Sequence, residues 1–86
     1  MRVRDESVAW NEVDGNVVVL DLESSTYFST NTTGTVLWHL LVPGASRSEL
    51  VTALVERFEV DADAAGRDVD AFVAELERVK LLEPGR

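Results

Sequence analysis

The chain has no cysteine among its 86 residues and a single histidine, His39. Without cysteine there is no disulfide, no thiolate nucleophile and no cysteine-ligated zinc. His39 lies in a helical stretch between Trp38 and Leu40, where a surface or partly packed role is expected, and no second histidine exists to share a metal with it. Apolar runs are short. The longest, 17–20 and 36–42, fall well below the ~20 residues a membrane span needs. Met1-Arg2-Val3-Arg4-Asp5-Glu6 lacks the apolar core of a secretory signal. Gly34, in Asn31-Thr32-Thr33-Gly34, has neither the lysine nor the glycine spacing of a phosphate loop. Basic charge is scarce too, with 8 Lys and Arg against 16 Asp and Glu and a net charge of −8. Such a surface repels nucleic acid and anionic membrane and favours a neutral or basic partner. A cytoplasmic location is the expectation that fits these absences.

What is present is an ordinary folded composition, 45% hydrophobic and 28% charged, in a length that suits one domain over residues 1–86. Val8 and Trp10 alternate with polar or small neighbours, and Val17 to Leu22 is rich in β-branched residues. Asp14-Gly15 between them suits the positive-φ positions of a tight hairpin. A second turn at Glu23-Ser24-Ser25 leads to a short third strand, Thr26-Tyr27-Phe28-Ser29. Asn31 caps a first helix through Leu41, stopped by Pro43-Gly44. Ser46-Arg47-Ser48-Glu49 is a capping box, opening a second helix with an apolar stripe of Leu50, Val51, Leu54, Val55 and Phe58. Asp61 or Asp63 opens a third, whose apolar positions are Ala65, Val69, Phe72, Val73, Leu76 and Val79, with Glu83-Pro84-Gly85 as its stop. The order is β-β-β-α-α-α, an α+β, winged-helix-like domain with a three-stranded antiparallel sheet.

No catalytic, metal-binding or cofactor-binding constellation is visible, so the protein is read as non-catalytic. The carboxylates at helical spacing, Asp68 with Glu75 and Asp70 with Glu77, are expected to be solvated surface in so acidic a chain. A winged-helix nucleic-acid binder is one alternative. However, Arg47 and Arg57 on the second helix stand among Glu49, Glu56 and Glu59, and Arg67, Arg78 and Lys80 stand among Asp68, Asp70, Glu75 and Glu77. Neither helix forms a basic face. Peptide capture fits better. A short third strand at the sheet margin offers the amides and carbonyls of 27–29, and the broad apolar set of the last helix offers a wall. Each wall residue has core packing as its other reading.

Three segments carry a resemblance: Val18-Val19-Leu20-Asp21-Leu22; Thr26-Tyr27-Phe28-Ser29-Thr30-Asn31-Thr32-Thr33-Gly34; and Val36-Leu37-Trp38-His39-Leu40-Leu41. With Leu50 to Leu54, Phe58-Glu59-Val60, Asp68 to Phe72 and the stretch from Leu76 to Leu82, the ordered set resembles the PqqD-like family, the recognition elements for ribosomally synthesised, post-translationally modified peptides. The resemblance spans roughly residues 8 to 82. It implies three strands followed by three helices, and a precursor's leader bound as an added strand antiparallel to the third strand and against the third helix. It implies Thr26, Tyr27, Phe28, Ser29, Val69, Phe72, Val73 and Leu76 as the peptide-binding residues, with no cofactor. Within the family the chain is most similar to the leader-binding partner of split lasso-peptide systems. Its partners there would be a cysteine-type leader peptidase and an ATP-dependent macrolactam synthetase. A PqqD-type chaperone for a radical S-adenosylmethionine enzyme is the nearest alternative. Phe28 is expected on the core side with Leu20 and Leu22, Tyr27 on the opposite side, and Arg67, Arg78 or Lys80 near an acidic leader residue. Two positions depart from the family pattern. Thr30 replaces the usual Leu, with looser packing expected where the third strand meets the first helix. Lys80 replaces the usual Gly before the final aliphatic pair, leaving the end of the last helix open.

Overall fold

Asp14 and Gly15 both take positive φ, 53° and 82°. This is the two-residue hairpin geometry that matches the twist of the flanking strands. It joins β1 (Val8–Val13) to β2 (Asn16–Asp21) in a register running from Val13↔Asn16 to Val8↔Asp21. Ser25, at φ 58°, donates its amide to the Asp21 carbonyl at 2.8 Å and turns the chain into β3 (Thr26–Ser29). The sheet is antiparallel in the order β1-β2-β3. The computed structural model describes residues 1–83.

Side chains of β2 alternate, with Val17, Val19 and Asp21 buried and Val18 and Leu20 on the outer face. Facing residues of antiparallel strands share a side. Phe28, opposite Val19, therefore joins Val17 and Val19 beneath the helices, and Tyr27, opposite Leu20, projects outward. This corrects the expected grouping of Phe28 with Leu20 and Leu22. Both faces of β2 are apolar, and the usual cue, that a carboxylate marks the wet face, points the wrong way here. Asp21 is buried because Arg4 Nη2 lies 2.9 Å from its Oδ1 and the Glu23 amide donates to Oδ1 at 3.0 Å.

Three helices cover that face: α1 (Thr32–Leu41), α2 (Arg47–Phe58) and α3 (Ala62–Arg78). Asn31, Ser46 and Asp61 cap them by accepting from the amides of Gly34, Glu49 and Ala64. The capping box is complete, Glu49 accepting in return from the Ser46 amide at 2.8 Å. The core joins Val17 and Val19 to Leu37, Trp38 and Leu41 of α1, Leu50 and Leu54 of α2, and Val69 and Leu76 of α3.

Helix α3 ends before the expected stop, whose Pro84 and Gly85 lie outside the described residues. Lys80 takes φ 62° and donates its amide to the Glu77 carbonyl, while the Leu81 amide reaches the Leu76 carbonyl at 2.8 Å. These two bonds form a Schellman cap, and both Leu76 and Leu81 are buried. The chain then runs beside its own beginning. Val3 bridges Leu82, the Val3 amide reaches the Leu41 carbonyl and the Arg4 amide reaches the Leu81 carbonyl.

Candidate peptide-binding edge and groove

Backbone alternation decides which groups β3 offers outward. The Thr30 amide donates to the Val17 carbonyl at 2.9 Å, just past the end of the strand. In an antiparallel ladder every second residue bonds the same neighbour. Thr26, Phe28 and Thr30 therefore bond toward β2, and the amides and carbonyls of Tyr27 and Ser29 point away. Among the described residues no strand pairs with that outer side. Of the expected donors in 27–29, Phe28 is already spent inside the sheet, which leaves two residues to hold an added strand.

Beside this edge runs a groove in two adjoining hollows. One, of about 340 Å³, is lined by 27–31 together with Phe72, Glu75, Arg78 and Val79. The other, of about 370 Å³, continues along Asn31, Thr33, Gly34, Asp68, Ala71, Phe72 and Glu75. Phe72 forms the shared floor, its ring 6.0 Å from that of Phe28. The wall is thus the stripe of α3 at Asp68, Phe72, Glu75 and Val79, spaced by three or four residues so that they share a side. A larger hollow of about 830 Å³ lies on another face of α1, between the hairpin and α2, where His39 Nε2 meets Glu12 Oε1 at 2.6 Å. It does not adjoin the open edge. Strand addition draws on main-chain bonds and shallow side-chain hollows rather than on a deep cavity, so the edge with its groove is the candidate site.

The family model for Coenzyme PQQ synthesis protein D (PqqD) matches residues 16–82. The chain belongs to the PqqD family. Among solved structures, TbiB1 in complex with the TbiA(beta) leader peptide is 32% identical with a TM-score of 0.89, covering 100% of this chain and 99% of that one. Lasso peptide synthetase B1 complexed with the leader peptide is 28% identical with a TM-score of 0.84, covering 96% of each chain. A search of curated proteins finds no significant match.

The eight residues singled out from the sequence divide in three. Thr26, Tyr27, Phe28 and Ser29 form β3, with Tyr27 75% exposed. Phe72 lines the groove. Val69 and Leu76 have no exposed surface and lie behind the wall as core, and Val73 is half-buried against the core without lining either hollow. Expecting Val69 and Leu76 in the peptide wall is corrected accordingly: α3 carries two neighbouring apolar stripes, and one of them faces the helices. The groove also uses Asn31, Asp68, Ala71, Glu75, Arg78 and Val79. Asp68 and Glu75 stand four and three residues from Phe72, and Val79 four beyond Glu75, a spacing legible in the sequence; Asn31, Ala71 and Arg78 carried no such signal.

The arginine that lines the groove is already matched. Arg78 donates from Nε and Nη2 to the two carboxylate oxygens of Glu75. The hydrogen bond from Arg78 holds the Glu75 carboxyl below the usual range, and the same bond raises the Arg78 guanidinium. Arg47 is similarly engaged by Asp70, at 2.7 Å, and Arg2 by Glu83, also at 2.7 Å. These cations face carboxylates within the PqqD-type fold, which lends no support to a phosphate-binding surface.

Proposed function

We propose that this chain captures the leader of a ribosomally made precursor peptide as a fourth strand on β3 and holds it for a separate processing enzyme. The observation that carries this reading is the outward backbone of Tyr27 and Ser29 running beside the Phe72–Val79 stripe. The main chain of a leader would complete the ladder, and its alternate side chains would drop into the two hollows. The two solved neighbours, both complexes with leader peptides, support the same reading. The chain performs no chemistry itself. Its task places it in the cytoplasm with the precursor, alongside a cysteine-type leader peptidase and an ATP-dependent macrolactam synthetase. Service to a radical S-adenosylmethionine enzyme is the second reading, favoured by the description of the family model.

Fluorescence anisotropy with the labelled leader of the cognate precursor tests capture. Saturable binding is expected, little weakened by moderate salt, because ladder bonds and apolar contacts are poorly screened. Ser29→Pro removes one outward amide from an edge strand that tolerates proline, and is expected to weaken the leader by about threefold to tenfold with the fold intact. Phe28→Pro instead breaks the protein's own ladder and lowers stability. No binding by the parent at roughly tens of micromolar leader sinks the proposal.

A further inference from the structure

The sheet has a second surface that the helices leave open and that the groove touches only at Tyr27. Register places Ala9, Val18, Leu20 and Tyr27 together on the side away from the helices, with Leu22 just past the end of β2 and Val13 at the far end, beyond Asn11 and opposite Asn16. Val13 is 51% exposed and Leu22 56%. Isolated apolar residues on a surface are ordinary, but a contiguous set across three strands marks a contact face.

The chain from Asp5 to Ser46, which holds all three strands, carries charge of one sign, and Arg78 in the groove beside Tyr27 is paired with Glu75. No lysine or arginine occurs between Arg4 and Arg47. The acids in that interval are Asp5, Glu6, Glu12, Asp14, Asp21 and Glu23. Asp21 turns inward to Arg4 and Glu12 turns to His39. Asp14 remains at one end of the face, in the β1–β2 turn. At the other end lies Glu23, next to Leu22, whose amide is bonded at 2.8 Å to the carbonyl of Ser7, the residue that follows Asp5 and Glu6.

We infer that the outer face of the sheet docks a folded protein partner whose contact patch is apolar at its centre and flanked by Lys and Arg. A second copy of this chain would bring the same acids against these, and nucleic acid or an anionic bilayer would be repelled. A basic-rimmed protein gains both the apolar contact and the charge match. Tyr27 belongs to this face and to the edge strand, so a partner seated here lies directly beside whatever occupies the groove. The inference goes beyond leader capture, since the face exists whatever β3 holds.

The test takes the leader peptidase named above as its probe and measures its affinity for the full chain across a salt series. Two double variants leave the groove and β3 untouched: Val13→Arg with Leu22→Arg, and Asp14→Asn with Glu23→Gln. Asn retains the positive-φ tolerance that the turn needs at position 14. The arginine pair is expected to weaken the peptidase by about tenfold or more, and the neutral pair by about threefold at low salt with the difference fading at high salt. Leader affinity is expected to stay at the parent value in both. The inference is overturned if both variants bind the peptidase like the parent, if the parent forms no complex with it, or if sedimentation shows a homodimer that the arginine pair abolishes. A parent that binds the peptidase through this face but not the leader overturns leader capture and leaves the face standing.

Discussion

At the scale of single residues, two positions where β3 meets α1 set the shape of the groove. Thr30 was expected to loosen this junction and instead ties it. Its Oγ1 accepts from the buried Val17 amide at 2.9 Å and lies 2.7 Å from Thr35 Oγ1. Carbonyl acceptors complete the cluster, Asn31 O at 2.9 Å from Thr35 Oγ1 and Val17 O at 3.4 Å from Thr30 Oγ1. Thr30→Val keeps the shape but strands the Val17 amide, and is expected to cost about 1–3 kcal/mol in urea unfolding. Gly34 acts by absence. A Cβ there would lie 2.9 Å from Phe72 Cε1 and 3.1 Å from Thr30 Cβ. The Phe72 ring, being the end of a side chain, can swing away, and alanine's better helix propensity, about 1 kcal/mol, offsets part of the strain. Thr30 Cβ, buried and held by its hydroxyl's bonds, cannot move so freely, so Gly34→Ala is expected to lower stability by about 1 kcal/mol and to weaken the leader severalfold, because the floor of the groove moves. Equal affinity for parent and variant in the same anisotropy titration would mean that Phe72 does not shape the peptide site.

At the scale of elements, the end of α3 decides whether the wall has its full length. Lys80 occupies a left-handed position that glycine enters without steric cost. Lys80→Gly is expected to raise stability by about 1 kcal/mol, read as a higher urea midpoint at an unchanged slope. An unchanged midpoint would mean that the lysine side chain contributes packing that offsets its backbone strain. Lys80 also shows what the sequence made legible. The hairpin at Asp14-Gly15, the caps Asn31 and Ser46 and the capping box could be read directly, and the third cap could be narrowed to Asp61 or Asp63, because each depends on neighbours in sequence. The Schellman stop at Lys80 could not, since the bonds that hold it belong to any residue forced into that conformation, and the leucines that force it are recognised only once buried. The same division runs through the site. The third strand was legible from its position after the second turn. Which of its amides face out was fixed by the pairing of Thr30 with Val17, and which stripe of α3 stays accessible was fixed by how the other helices cover Val69 and Leu76. Those are choices of packing between distant segments. The burial of Val3 against Leu82 and Leu41 was missed for the same reason.

At the scale of the whole molecule, an excess of acid must be reconciled with a stable fold, and the carboxylates show how. Burial opposes ionisation of Asp21, but the amides of Glu23 and Ser24, the Arg4 guanidinium and the Ser24 hydroxyl outweigh it and hold the carboxyl below its ordinary value of 3.8. Bonds from the Ser46 backbone and side chain lower Glu49, and Arg47 lowers Asp70. A carboxyl depressed by folding contributes its stability fully above the unfolded-state value and loses it as pH falls through the folded one. Acid should therefore weaken the fold from the ordinary carboxylate range downward, while relief of the net negative charge acts in the opposite direction. Comparing the parent with Asp21→Asn cancels that opposing effect and the other carboxylates. Asn keeps an oxygen for the turn amides but leaves Arg4 without a counter-charge at every pH. In the parent, Arg4 loses its counter-charge only when Asp21 takes up its proton. The stability gap between the two proteins is thus expected to be widest near neutral pH and to narrow as pH falls through and below the ordinary carboxylate range in paired thermal melts. A gap that stays constant over that interval would show that Asp21 supports the sheet through hydrogen bonds alone, with its charge contributing nothing to the burial of Arg4.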